Sequence, residues 1–297
     1  MNIKIWIQAF RLRTLPLALS SIFMGSFLAA FRQNFQNEVL YLSILTTIFL
    51  QILSNLANDY GDSVHGADSQ DRKGPSRAVQ SGQISALAMR NAIGVFVVLS
   101  LVSGLSLLWF ADISLQIFGV FLSLGILSIL AAITYTAGKK PYGYAGLGDI
   151  SVMLFFGLVG VLGVYFLHTK SFEFDLLLPA LSCGFLATGV LNVNNIRDIE
   201  SDKKAGKKSI PVRIGRQNAV FYHWFLLFGA VFCAFAFIFL NFKSGYQFLF
   251  LMVLPMLGYN AWAIKTYQEA HRLDPFLKQL ALASLQFVLL FGFGNLL

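Results

Sequence analysis

Charge is scarce in this chain. Only 12% of its 297 residues are Asp, Glu, Lys or Arg, against roughly a quarter in a soluble domain. With 57% hydrophobic residues and a mean hydropathy of +0.68, the shortage excludes an ordinary water-facing surface. Cysteine is nearly missing. Cys183 and Cys233 both fall inside apolar runs, which excludes a disulfide framework and leaves buried free thiols. The four histidines, His65, His168, His223 and His271, are too scattered to form a metal site. No small-residue cleavage site follows the first apolar run, so that run reads as a retained span rather than a cleavable signal. Acids are fewer than bases, giving a net charge of +8. In a soluble protein that excess would suggest nucleic acid. Here it lies in the loops, membrane topology explains it, and no nucleic-acid partner is expected.

What is present is length and apolar continuity. A membrane-crossing helix needs about 20 mostly apolar residues. Nine stretches qualify: Thr14–Phe31, Val39–Ala57, Ala92–Phe110, Leu115–Ala137, Ile150–Leu167, Leu176–Val193, Ala219–Leu240, Tyr246–Ile264 and Leu280–Leu297. The expected fold is all-α: a multi-pass bundle forming a single domain over residues 1–297, embedded in the lipid bilayer. A cytoplasmic N-terminus puts every Lys and Arg inside except Arg32, Lys170 and Lys243, as the positive-inside rule requires. The abundant Phe suits lipid-facing positions, and would also suit a bundle that holds a long isoprenoid. Gly157, Gly160 and Gly163 read as close helix packing.

Two inner loops are long and polar, roughly 58–91 and 194–218, and loops of that kind usually carry function. The first opens Asn55-Leu-Ala-Asn58-Asp59-Tyr60-Gly61-Asp62 and continues through Gly66 and Asp68 to Arg72. The second opens Asn194-Asn195-Ile196-Arg197-Asp198 and continues through Glu200 and Asp202 to Lys203. Asn58 matches Asn194 and Asp62 matches Asp198, so the two segments read as a structural half-repeat around one shared central site. Residues four apart share a helix face. Like charges at that spacing repel unless a cation sits between them. An oxygen-only set, Asn58, Asp62, Asp68, Asp198 and Asp202, favours Mg²⁺, which also takes phosphate oxygens as ligands. The interleaved bases Arg72, Arg77, Lys203 and Lys207, with Asn58 and Asn194, then suit a diphosphate. Asp59 and Glu200 sit off the shared face; Asp59 is as well placed to orient a neighbour or cap the helix.

These residues resemble the UbiA superfamily of intramembrane prenyltransferases, in which Asn-x-x-x-Asp and Asp-x-x-x-Asp motifs recur. The last acid of the first motif is displaced here, with Gly66 in its place and Asp68 two residues on. That run, the segment from Asn194 to Gly215, and Tyr135-Thr-Ala-Gly-Lys139-Lys140-Pro141 through Asp149 are similar to the 1,4-dihydroxy-2-naphthoate polyprenyltransferase branch of menaquinone biosynthesis. The resemblance implies polyprenyl diphosphate and 1,4-dihydroxy-2-naphthoate as substrates, Mg²⁺ as cofactor, and a bacterial cytoplasmic (inner) membrane location. It implies catalytic roles for Asp62, Asp198, Asp202, Lys203, Tyr135 and Lys139. Tyr135 and Lys139 are four apart and can share a helical face; Lys140 stays an alternative to Lys139. Arg72, Arg77 and Lys203 would stabilise the leaving oxygens. The ring would attack an allylic cation beneath a cap made by the two loops, with loss of CO₂. The rivals are a relative using 4-hydroxybenzoate, homogentisate or haem, and a cation-coupled transporter, which would place its acids near the midplane.

Overall fold

The computed structural model describes residues 3–64 and 77–297. Asp68, Arg72, His65 and Gly66 therefore lie outside the described residues. Among the described residues nine helices are long and apolar enough to cross a membrane, and they match the nine expected stretches. No strand occurs among the described residues. The architecture follows from the solvent: lipid satisfies no backbone group, so each span closes its own hydrogen bonds as a helix.

A short amphipathic helix, α1 (Ile3–Phe10), precedes the first span and continues into it through a 3₁₀ turn. Pro16 sits in the first turn of α2 (Leu15–Phe31), where its missing N–H costs nothing. Next come α3 (Asn37–Val64), α4 (Ala86–Phe110), capped by the Ser85 hydroxyl, and α5 (Leu115–Thr134). The fifth span runs through α6 (Gly148–Val152), a π-helical stretch at Met153–Leu162, and α7 (Gly163–Thr169). Then α8 (Leu177–Arg197), the short α9 (Ile199–Lys204) and α10 (Ile210–Leu240) carry the second loop between them. A 3₁₀ stretch at Gly245–Val253 leads into α11 (Leu254–Thr266), and α12 (Ala270–Leu296) closes the bundle.

The main core joins α2, α8, α10 and α12 around Phe237, Phe250, Phe287 and Phe291. The glycine run serves close packing, as expected. A Cβ on Gly157 would fall 2.9 Å from the Cα of Gly184 and from the carbonyl oxygen of Ala180, so α8 meets the π-helical stretch backbone to backbone. In contrast α4 and α5 bury few side chains and present Val95, Val98, Trp109, Leu127 and Leu130 outward. The half of the bundle containing them is looser, and a cavity lies there.

The two long loops are shorter than the sequence suggests. The helix α3 persists to Val64 and α4 begins at Ala86, while α8 persists to Arg197. The acidic motifs thus ride on helix ends. Hydropathy alone ends a span where charge begins, but a helix continues wherever its backbone bonds can be made.

Candidate active site

The first motif is held by its neighbours, chiefly the segment 135–146 that follows α5. Gly61 allows that segment to approach. A Cβ there would lie 2.6 Å from the Thr136 carbonyl carbon and hydroxyl oxygen. The Thr136 hydroxyl stands 3.1 Å from Asn58 Oδ1 and 3.2 Å from the Ala57 carbonyl. Asp59 is turned to structure: its carboxylate accepts from the backbone N–H of Ala78 and Val79 at 3.1 and 3.2 Å. It pins the chain that precedes α4. Asp62 is buried, paired with the buried Arg77, and accepts a hydrogen bond from the Tyr144 hydroxyl at 3.0 Å. Gly61→Ala is expected to cost about 1–3 kcal/mol through the overpacking it forces. A lower melting temperature in detergent checks it; an unchanged one would contradict the backbone contact.

The second motif is not one unbroken face. Asp198 adopts φ −100° and separates α8 from α9. Both i→i+4 bonds survive the break: Asp198 N–H reaches the Asn194 carbonyl at 3.1 Å and Asp202 N–H reaches that of Asp198 at 2.8 Å. The expected spacing is therefore preserved, while the described part of the first motif, Asn58 to Asp62, lies on the intact α3.

Arg197, which the spacing argument passed over, organises this motif. Its guanidinium grips both oxygens of Asp198 at 2.8 and 2.7 Å, donates to Asn194 Oδ1 at 2.8 Å, and reaches Asp274 of α12 at 2.6 Å. The fork geometry of arginine suits this. The signal available in sequence was a lone Arg beside an Asp, and nothing local named Asp274 as its further partner.

Lys207 brings the motifs together. Its ammonium lies 3.4 Å from Asp202 and its side chain is 13% exposed. Burial alone would push it down; Asp202, then Tyr135, Asp62 and Asp198, act on it strongly enough to hold it above its ordinary value. Burial raises the Asp202 carboxyl, with Lys207 opposing and Asp198 adding to the rise. Ser209 also donates to Asp202 at 3.2 Å. Tyr144 ties the loops: its hydroxyl donates to Asp62 while its carbonyl accepts from the Lys208 N–H at 2.9 Å. Gly146, at φ +84°, takes a left-handed turn that an L side chain resists, and its α-carbon packs against the Lys208 carbonyl.

The Tyr135–Lys139 reading needs correction. The helix ends at Thr134, and Gly138 (φ +102°) and Pro141 turn the chain back. The N–H of Gly143 then bonds the Tyr135 carbonyl at 3.0 Å. Lys139 and Lys140 are both exposed, so no shared helical face exists. Tyr135 remains at the site. Burial, more than the charges around it, pushes its phenol up to about 12, so it stays a proton donor throughout the neutral range. Lys203 and Glu200 are exposed on α9; the lysine among the carboxylates is Lys207, four residues on.

Two cavities flank this cluster. One, of about 410 Å³, is largely apolar and runs between α3, α4, α5 and the π-helical stretch. Asn58 and Tyr135 stand in its wall at one end. The other, of about 600 Å³, is walled by α1 and includes Arg11, Arg13, Asp59, Asn194 and Arg197. A charged centre, a long apolar space beside it and a polar space behind it suit a substrate with an anionic head and a greasy tail.

The profile of the UbiA prenyltransferase family matches residues 18–287. The chain belongs to the UbiA prenyltransferase family. Among family members it is 46% identical over 298 residues to the 1,4-dihydroxy-2-naphthoate octaprenyltransferase of Haemophilus influenzae, covering 100% of this chain and 97% of that one. It is 45% identical to the enzyme of the same name from Escherichia coli, covering 97% and 94%. The fold also matches a UbiA homologue from Archaeoglobus fulgidus bound to DMAPP and Mg²⁺, at 18% identity and TM-score 0.58, over 94% of this chain and 98% of that one. The apo UbiA homologue from Aeropyrum pernix matches at TM-score 0.64 and 17% identity, over 96% and 98%.

Proposed function

We propose that this protein transfers a polyprenyl group from polyprenyl diphosphate to 1,4-dihydroxy-2-naphthoate, releasing diphosphate and CO₂, in menaquinone biosynthesis. The observation that carries the site is the burial of both motifs' carboxylates beside bases, Asp62 against Arg77 and Asp202 against Lys207, with Tyr144 bonded to Asp62 and to the Lys208 N–H. The near full-length identity to two enzymes named for this activity supports the acceptor. The acids sit at helix ends, Asp62 two residues before Val64 and Asp198 just past Arg197. That suits a phosphate at the interface rather than a cation carried across the midplane.

The donor set fits Mg²⁺. It is made of oxygens alone, and a cationic group already stands among the carboxylates. Among the described residues no three acids or imidazoles form a ready-made cage. Mg²⁺ does not need one, since it keeps waters and takes phosphate oxygens with one or two carboxylates. Asp62, Asp198 and Asp202, with Asn58, and with Asp68 outside the described residues, would hold it. It would supply charge neutralisation that makes diphosphate a better leaving group.

The chain's own residues do the rest. Lys207 and Arg77, with Arg72 and Asn194, bind diphosphate oxygens. Lys203 is exposed on its helix and stands outside this group. Tyr135, protonated and half in the apolar wall, marks where the allylic carbon lies. The 135–146 segment covers the centre and excludes water from a developing carbocation. The whole chain works as one domain. The excess of Lys and Arg in its loops supports a cytoplasmic N-terminus and site in a bacterial inner membrane.

Purified protein mixed with 1,4-dihydroxy-2-naphthoate, octaprenyl diphosphate and Mg²⁺ is expected to give a prenylated, decarboxylated product by mass. Prenylation of 4-hydroxybenzoate or homogentisate in its place would overturn the acceptor assignment. Product formation undiminished by a chelator would overturn the metal requirement.

A further inference from the structure

The apolar cavity holds four glycines, and they are not alike. Gly160 and Gly163 face neighbours: a Cβ on Gly160 would fall 2.8 Å from Ser21 Cβ, and one on Gly163 would fall 3.5 Å from the Phe121 ring. These serve packing. Gly104 of α4 and Gly125 of α5 are open. A Cβ on Gly125 meets nothing within 4 Å, and one on Gly104 meets only Thr46 Cγ2, at 3.8 Å, across the same space. All three residues stand in the cavity wall. The missing side chains leave the middle of the channel wide, while Leu107, Leu108, Phe121, Leu122 and Leu167 crowd its far end.

The depth of that open point follows from helix geometry. Gly125 lies ten residues before Tyr135, and Thr46, opposite Gly104, lies twelve before Asn58. At about 1.5 Å per residue these are roughly 15 and 18 Å from the polar end. An extended isoprene unit of four C–C bonds spans about 5 Å, from bond lengths near 1.5 Å. The open point therefore meets the third to fourth isoprene unit of a prenyl chain whose first carbon lies at Tyr135.

We propose that Gly104 and Gly125 determine which prenyl chain lengths the enzyme accepts. They keep the channel open where a chain longer than farnesyl must pass. This rests on the prenyl diphosphate reading of the site, with the tail in the apolar cavity. A bulky residue at either position closes the channel beyond the third unit and disfavours longer donors. Glycine at these positions costs helix stability in a water-soluble protein, and here it is placed facing the cavity rather than a packed neighbour.

The test compares Gly125→Phe and Gly104→Phe with Gly119→Phe. Gly119 also lies on α5 with nothing within 4 Å, but outside the cavity wall. Dissociation constants for farnesyl and octaprenyl diphosphate are measured for each, alongside transfer to 1,4-dihydroxy-2-naphthoate. The octaprenyl-to-farnesyl preference is expected to fall at least tenfold in the first two variants and to stay within twofold in Gly119→Phe. If either Phe variant fails to fold, Gly125→Val and Gly104→Val are expected to shift the preference the same way by severalfold. An unchanged preference in folded variants at both positions, or an equal shift in Gly119→Phe, overturns the proposal. Binding preferences that shift without any transfer by the native chain would leave this inference standing and remove the acceptor assignment instead.

Discussion

Asp198→Asn is expected to lower prenyl transfer by about 10²–10³-fold, the scale on which removing one placed electrostatic group acts at a charge-developing site. Asn keeps the shape of the side chain and one oxygen for the Arg197 fork. It removes the charge that balances the fork and that would hold the metal. Asp198→Ala is a poorer test, because it strips a buried guanidinium of its principal partner, and breaking such a pair costs about 3–5 kcal/mol of stability. The comparison to make is transfer rate against melting temperature for Asp198→Asn and Asp62→Asn. Loss of rate with a near-native melt places both carboxylates in the chemistry. A full rate in either variant, at the same Mg²⁺ concentration, would remove that carboxylate from the proposed clamp.

The fold was legible because lipid leaves few choices. A run of apolar residues such as Leu115–Thr134 has no solution in a bilayer other than a helix, and hydropathy finds it. The carboxylates were legible for a related reason: an acid at a span end is conspicuous against so little charge. Their partners were not. Arg197 meets Asp274 across 77 residues, and Tyr144 reaches Asp62 across 82. No local pattern specifies such pairings. The Tyr135–Lys139 face failed because four-residue spacing implies a shared face only while the helix lasts, and Gly138 and Pro141 end it. Lys203 and Lys207 looked alike in sequence, and the fold separates them: the turn after α9, closed by the Lys207 N–H on the Asp202 carbonyl at 2.8 Å, brings the later lysine to Asp202 while Lys203 stays exposed.

That folded-back lysine carries the second large effect. Lys207→Met is expected to raise KM for the prenyl diphosphate and to lower kcat/KM by about 10²-fold, because in the proposed reaction the group would bind the donor's phosphates in ground and transition state alike. Met keeps the length and apolar stem, so the loop can hold its course. The charge change also has a sign in pH. Asp202 is already raised by burial, and Lys207 opposes that rise. Without the ammonium the carboxyl rises further, so protonation sets in at a higher pH. A carboxylate is needed in its charged form, and its contribution is lost as pH falls through its pKa. The acidic limb of the variant's pH–rate profile therefore moves toward neutrality relative to the native chain. Lys203→Met serves as the contrast: Lys203 is exposed on α9, it meets no carboxylate of the cluster in the way Lys207 does, and its loss is expected to move neither KM nor the acidic limb by a comparable amount. A pH profile that stays in place in Lys207→Met, with KM unchanged, would show that the lysine steadies the loop and takes no part in holding the diphosphate.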